Sequence, residues 1–134
     1  MSLEDSPVRF AVIGLGRIGS LLEDDALREK PATHTGAISA APDARLVAGC
    51  DIDPARRDEF RTRWGCESVY ASADAMLAEV RPQGVCIATP PETHERLVRA
   101  ADRHGAEVAV CEKPLARTLR DARRIASVHR RGHT

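Results

Sequence analysis

The sequence lacks the spacing that a metal site needs, an excess charge of either sign, an aromatic cluster and a long apolar run. Its four cysteines, Cys50, Cys66, Cys86 and Cys111, form no C-x-x-C pair, and no two have the spacing of metal ligands. Three of them sit inside apolar runs, so cysteine reads here as a small buried hydrophobe in a reducing compartment. Twenty basic residues balance twenty acidic ones, so no net field draws nucleic acid or an anionic membrane. The only aromatic residues are Phe10, Phe60, Trp64 and Tyr70, too few for a base-stacking platform. No run approaches the ~20 apolar residues of a membrane span. Residues 1–7, M-S-L-E-D-S-P, are acidic and too short for a signal peptide. They read as a flexible lead-in, and the cytoplasm is the expected location. A chain of 134 residues is the size of one ordinary domain and can bury a core without disulfides.

What is present is concentrated in Val8 to Gly19, V-R-F-A-V-I-G-L-G-R-I-G. An apolar run ends in Gly14, Gly16 and Gly19, the G-x-G-x-x-G spacing of a dinucleotide-binding turn. Gly14 allows the tight turn out of a buried strand. Gly16 lets the backbone approach a pyrophosphate, and Gly19 lets the next helix pack closely on the strand. The free N–H groups and the positive dipole end of that helix then face the phosphates. The motif by itself is weak, so the rest of the chain has to supply context.

That context is an alternation of strands and helices. Val8 to Ile13 reads as a buried parallel strand, and Gly16 to about Arg28 as the first helix. The charged stretch from Glu23 to Lys30 ends at Pro31. It reads as a solvated helix end or as a lid near a cofactor. A second helical piece is expected from Thr33 to Ala41, which makes the first crossover long. Arg45 to Cys50 is a second strand, followed by Asp51, Ile52, and Asp53-Pro54 as a helix start. That helix carries Phe60 and Trp64 at i, i+4, and Gly65 stops it. Ser68 to Tyr70 is a short third strand, and Ser72 caps a helix bearing Met76, Leu77 and Val80. Gly84 to Ala88 is a fourth, fully covered strand that runs into T-P-P-E-T-H. Thr89 with Glu92 has the spacing of a capping box, and the helix runs on to His104 and Gly105. Glu107 to Cys111 is the fifth strand, ending in Glu112-Lys113-Pro114. Thr118 with Asp121 opens a last helix to about His129. Its apolar face is expected to be Leu119, Ala122, Ile125 and Ala126, and its arginines a solvated face.

Five strand–helix alternations predict an α/β fold, a Rossmann-type doubly wound parallel sheet in the order 3-2-1-4-5. Ligands of such sheets bind at the carboxyl ends of the strands, in the crevice between strands 1 and 4. Asp51 lies just past strand 2, where a carboxylate accepts hydrogen bonds from ribose hydroxyls and repels a 2′-phosphate.

The motifs V-I-G-L-G-R-I-G, C-D-I-D-P, A-T-P-P-E-T-H and C-E-K-P-L-A follow strands 1, 2, 4 and 5. This order resembles the N-terminal half of the Gfo/Idh/MocA family (glucose–fructose oxidoreductase, inositol dehydrogenase, rhizopine catabolism), from about Val8 to the end. The resemblance implies an oxidoreductase that transfers hydride between a nicotinamide cofactor, NAD rather than NADP, and a sugar, polyol or related hydroxy compound. By motif, Gly14, Gly16, Arg17, Ile18 and Gly19 match the pyrophosphate turn, and Asp51 with Ile52 the ribose position. Thr89, Pro90 and His94 match the segment lining the dinucleotide, and Glu112 is counted with the cofactor-binding residues. Lys113 matches the lysine that reaches the nicotinamide ribose and the reacting hydroxyl, and is the candidate catalytic residue.

The family pattern continues into a sixth strand and a second, substrate-binding domain, whereas this chain stops at R-R-G-H-T. His133 is too near the end to carry over as a catalytic histidine. The expectation is a single NAD-binding domain over 1–134, incomplete as a catalyst without a missing C-terminal domain or a complementary chain. The alternative is a stand-alone NAD-binding sensor without catalysis. An open sheet edge would also invite self-association into a homo-oligomer. No metal, nucleic-acid or membrane role is expected.

Overall fold

The computed structural model describes residues 6–132; residues 1–5 of the expected lead-in, and His133, lie outside them. Five parallel strands are β1 (Val8–Ile13), β2 (Ala44–Cys50), β3 (Val69–Tyr70), β4 (Gly84–Ile87) and β5 (Val108–Cys111). They pair in the order β3-β2-β1-β4-β5, as the alternation of elements predicts. Five helices connect or follow them: α1 (His34–Ala40), α2 (Pro54–Trp64), α3 (Ala73–Val80), α4 (His94–Arg103) and α5 (Leu119–Gly132).

Both faces of the central strands are covered. Side chains alternate across a strand, so Ala11 and Ile13 of β1 and Val85 and Ile87 of β4 share one face. Met76, Leu77, Leu97, Val98, Ile125 and Val128 pack in the same cluster. On the other face Val12 and Cys86 meet Leu15, Ile38 and Phe60. Phe60 is fully buried, and a side chain of that size contributes roughly 2–3 kcal/mol through burial. Its partner Trp64 is half-buried and donates its indole N–H to Ser20 Oγ at 2.9 Å.

The helix starts follow the capping residues. Asp53 accepts from Ala55 N–H at 2.9 Å with Pro54 at the first helical position, and Gly65 ends α2 at φ 63°. Ser72 and Thr118 accept from the N–H three residues on, at 3.2 and 3.1 Å.

Three expectations need correction. No continuous helix spans Gly16 to Arg28. One turn forms, closed by Ser20 N–H on Gly16 O at 3.0 Å, and then a short 3-10 segment at Leu21–Asp24. The chain makes an excursion and returns, and α1 resumes the interrupted helix. His34 N–H bonds Ile18 O and Thr35 N–H bonds Gly19 O, both at 3.1 Å. The Thr89–Glu92 box does not form either: Pro90 precedes a 3-10 turn at Pro91–Thr93 with no side-chain cap, and Glu92 pairs with Arg117 at 3.2 Å. On α5, Ile125 and Val128 are buried while Leu119 and Ala126 are exposed, so the apolar face is rotated from the expected one.

Glu23 pins the base of the excursion. Its Oε1 accepts from Ala32 N–H, Thr33 N–H and Thr33 Oγ1 at 2.9, 3.0 and 2.9 Å. Burial is the largest influence on this carboxyl and raises its pKa. The hydrogen bonds from Thr33 and Ala32, with the Lys30 charge, outweigh it, and the net direction is down.

A candidate dinucleotide cleft at the carboxyl ends of the strands

The exits of β1, β2 and β4 enclose a cleft of about 570 Å³. The turn after β1 is folded hard against its neighbours. Gly14 has φ 95°, and a Cβ there would lie 2.6 Å from Ala88 O. A Cβ on Gly19 would overlap the Gly14 carbonyl oxygen. Gly16 differs: a Cβ there would meet only the flexible guanidinium of Arg56, at 3.1 Å. Its backbone therefore fronts the cleft. Among the described residues the N–H groups of Gly16, Arg17 and Ile18 donate to no protein acceptor, as expected for the first turn of a helix.

Asp51 faces this turn across the cleft. Its Oδ2 accepts Leu15 N–H and its Oδ1 accepts Asp53 N–H, both at 2.9 Å. The carboxylate side chain is only 8% exposed, and each oxygen keeps a second lone pair for a hydroxyl donor. Arg56 Nη1 stands 3.9 Å from Asp51 Oδ2, and Arg57 Nη1 donates to the Asp51 carbonyl oxygen at 2.8 Å.

The cleft's lining joins six of the residues singled out from the sequence: Gly14, Gly16, Asp51, Ile52, Thr89 and Pro90. At Thr89 the geometry fixes the hydroxyl protons. Thr93 Oγ1 donates to Pro90 O at 2.7 Å, so Thr89 Oγ1 donates to Thr93 Oγ1 at 2.5 Å and its own lone pairs remain available. Gly19 is buried under the turn, while Arg17 is exposed and Ile18 half-buried beside it.

Three other candidates lie off the cleft. His94 is fully buried, with Nδ1 and Nε2 each 2.8 Å from a backbone carbonyl oxygen, of Leu115 and Thr89 respectively. It bridges the exit of β4 to the segment after Pro114 and has no edge open to a ligand. Glu112 Oε2 is 2.8 Å from His34 Nε2. Lys113 is exposed on the loop leaving β5.

Sequence reasoning missed Arg56, Thr93 and His34. Arg56 stands one turn after Asp53 and could have been placed from the helix start. Nothing in the local sequence announces that His34 meets Glu112, because 78 positions separate them. The four cysteines are free, Cys50 and Cys86 buried and Cys66 and Cys111 partly so. Burial pushes the Cys50, Cys86 and Cys111 thiols up to about 11, and it raises Cys66 as well. Among the described residues no helix is long and apolar enough to cross a membrane, and no group of side chains could hold a metal ion.

Residues 8–133 match the family described as an oxidoreductase family with an NAD-binding Rossmann fold, GFO_IDH_MocA. The chain belongs to this family. It is 36% identical over 108 residues to an inositol 2-dehydrogenase of Rhizobium meliloti, which covers 81% of this chain and 28% of that enzyme. It is 40% identical over 90 residues to a D-apiose dehydrogenase of Paraburkholderia graminis, covering 66% of this chain and 24% of that one. Among solved structures, the WlbA dehydrogenase of Bordetella pertussis in complex with NADH and UDP-GlcNAcA superposes with a TM-score of 0.79. It shows 28% identity and covers 96% of this chain and 34% of that one. The chain therefore spans about a third or less of the length of these relatives.

The donor and acceptor set fits a dinucleotide. Unpaired backbone N–H groups suit a pyrophosphate, and a carboxylate with spare lone pairs suits a ribose diol. Gly16 and Asp51 line the same cleft.

Proposed function

We propose that this chain binds NAD(H) in the cleft and is the cofactor half of a dehydrogenase acting on a carbinol of a sugar, polyol or related hydroxy compound. The observation that carries this reading is that Gly16, which opens the run of unpaired N–H groups in the glycine turn, lines the same cleft as Asp51. Gly16, Arg17 and Ile18 hold the pyrophosphate through their backbone, and Asp51 accepts the adenosine ribose hydroxyls. Thr89 and Pro90 line the path toward the exit of β5. When bound, NAD⁺ supplies a hydride acceptor.

Lys113 is then the catalytic residue. A carbinol carbon gives up hydride only as its hydroxyl loses a proton. An ammonium beside that oxygen stabilises the developing alkoxide as the hydroxyl proton passes to solvent. The substrate pocket itself, the partner domain and the cytoplasmic setting belong to the same proposal. The names of the dehydrogenase relatives support the substrate class, and their greater length supports a second domain. NAD is preferred over NADP because the Asp51 carboxylate repels a 2′-phosphate. Arg56 stands close enough to soften that preference.

Calorimetric titration with NADH and then NADPH tests the assignment. Micromolar NADH binding with weaker NADPH binding is expected, and Asp51→Asn should narrow the gap. Equal affinities in the unsubstituted chain would overturn the role of Asp51. No binding of either nucleotide by folded protein would overturn the reading of the cleft.

A further inference from the structure

The pair formed by His34 and Glu112 ties two distant parts of the fold together. His34 opens α1, and its backbone N–H is held by Ile18 O at 3.1 Å, inside the glycine turn. Thr35 is held beside it by Gly19 O, through its N–H at 3.1 Å and its Oγ1 at 2.5 Å. The His34 ring then reaches the exit of β5, with Nε2 2.8 Å from Glu112 Oε2. Glu112 is fixed a second time through its own N–H on Ile87 O, at 2.9 Å. The side chains of His34 and Glu112 are 16% and 28% exposed, so water screens this pair less than the helical pair Arg61–Asp58, at 39% and 72%. A carboxylate only accepts, so Nε2 of His34 carries a proton in this contact. Lys113 is the next residue, and its side chain is exposed.

We propose that His34 is a positioning residue, latching the glycine turn to the Glu112–Lys113 segment so that a nucleotide at one end and the lysine at the other are oriented together. The proposal deepens the nucleotide-binding reading and rests on it. The path is continuous: turn carbonyls, the start of α1, the imidazole, the Glu112 carboxylate, the Lys113 backbone. Neither His34 nor Glu112 lines the cleft, so their substitution removes no direct lining contact. An effect on nucleotide binding therefore has to travel through this path.

The chain has only two lysines, Lys30 and Lys113, so ¹³C-dimethylation labels these and the N-terminal amine, and Lys30→Arg leaves Lys113 as the one lysine signal. NADH is titrated into the full chain while that signal is followed, in His34→Ala and in His34→Gln, whose amide restores a donor to Glu112. In His34→Ala the Lys113 signal should move in the nucleotide-free protein, and the NADH dissociation constant should rise at least about fivefold. His34→Gln should restore both. Unchanged affinity and an unmoved Lys113 signal in folded His34→Ala would overturn the latch.

If His34→Ala does not fold, ring ¹⁵N spectra of the unsubstituted chain decide. A protonated Nε2 whose shift moves in Glu112→Gln supports the latch. A bare Nε2 indifferent to that change overturns it. If the unsubstituted chain does not bind NADH, the cofactor reading fails, while the nucleotide-free Lys113 signal and the ring spectra still test the latch.

Discussion

Gly14 and Gly16 stand two residues apart in one turn, yet an added methyl group meets different neighbours at each. At Gly14 it meets the rigid backbone of Ala88 and a left-handed φ, so Gly14→Ala should destabilise the fold by about 2 kcal/mol or more. At Gly16 it meets only the movable end of Arg56, so Gly16→Ala should melt within a few degrees of the parent. It should still lose roughly tenfold or more in NADH affinity, because the methyl occupies the pyrophosphate's approach. Thermal melts beside calorimetry separate the two outcomes. The cysteines give a pH expectation. Native thiols at about 11 against an ordinary value of 9.0 keep their protons where unfolded thiols lose them. Stability contributed this way is full below pH 9 and is lost as pH rises toward 11. Urea midpoints measured from pH 8 to 11 should fall across that window, and Cys86→Ala should soften the fall.

The elements were largely legible because their signals are local. Asp53-Pro54, Ser72 and Thr118 announce their helices through residues one to three positions away. The five strands were legible as apolar runs, and their order followed from the alternation. The first crossover was not. Its apolar residues keep helical spacing while the chain leaves the helix, and the bonds that rejoin the halves run from His34 and Thr35 back to Ile18 and Gly19. Thr89 misled for a related reason: a 3-10 turn at Pro91–Thr93 precedes α4, and Glu92 turns to Arg117, which the capping pattern does not include. In the excursion, Glu23→Ala removes three hydrogen bonds at once and should cost about 2 kcal/mol at neutral pH. The lowered pKa of Glu23 sets the sign of its pH dependence. Its contribution is present above the ordinary value of 4.5 and is lost as pH falls through the native value. Denaturant midpoints of parent and variant should therefore converge in acid. Parallel curves from pH 7 to 3 would contradict the pinning role.

At the scale of the molecule, β5 is the outer strand beyond β4 among the described residues, and Val108 and Val110 are 45% and 42% exposed on it. An apolar, unpaired edge templates pairing with another chain. Light scattering over rising concentration should show self-association of this chain, and Val110→Lys should suppress it. A parent that stays monomeric throughout would remove the edge as an interface. The lining of the cleft was legible at this scale because Gly14, Gly16, Asp51, Ile52, Thr89 and Pro90 lie in short motifs at strand ends. The contact between His34 and Glu112 was not, since 78 positions separate them in the chain.

The interrupted helix also makes the first crossover a seam. Between Ser20 and Thr33 the chain leaves and re-enters the fold at points fixed by their own hydrogen bonds, and Leu27 at the excursion is 96% exposed. Trypsin cutting after Arg28 should therefore leave two pieces that remain associated, since the first contributes the central strand and the second all of its neighbours. New termini opened there would turn one chain into a complementing pair, with nucleotide binding reporting their reunion.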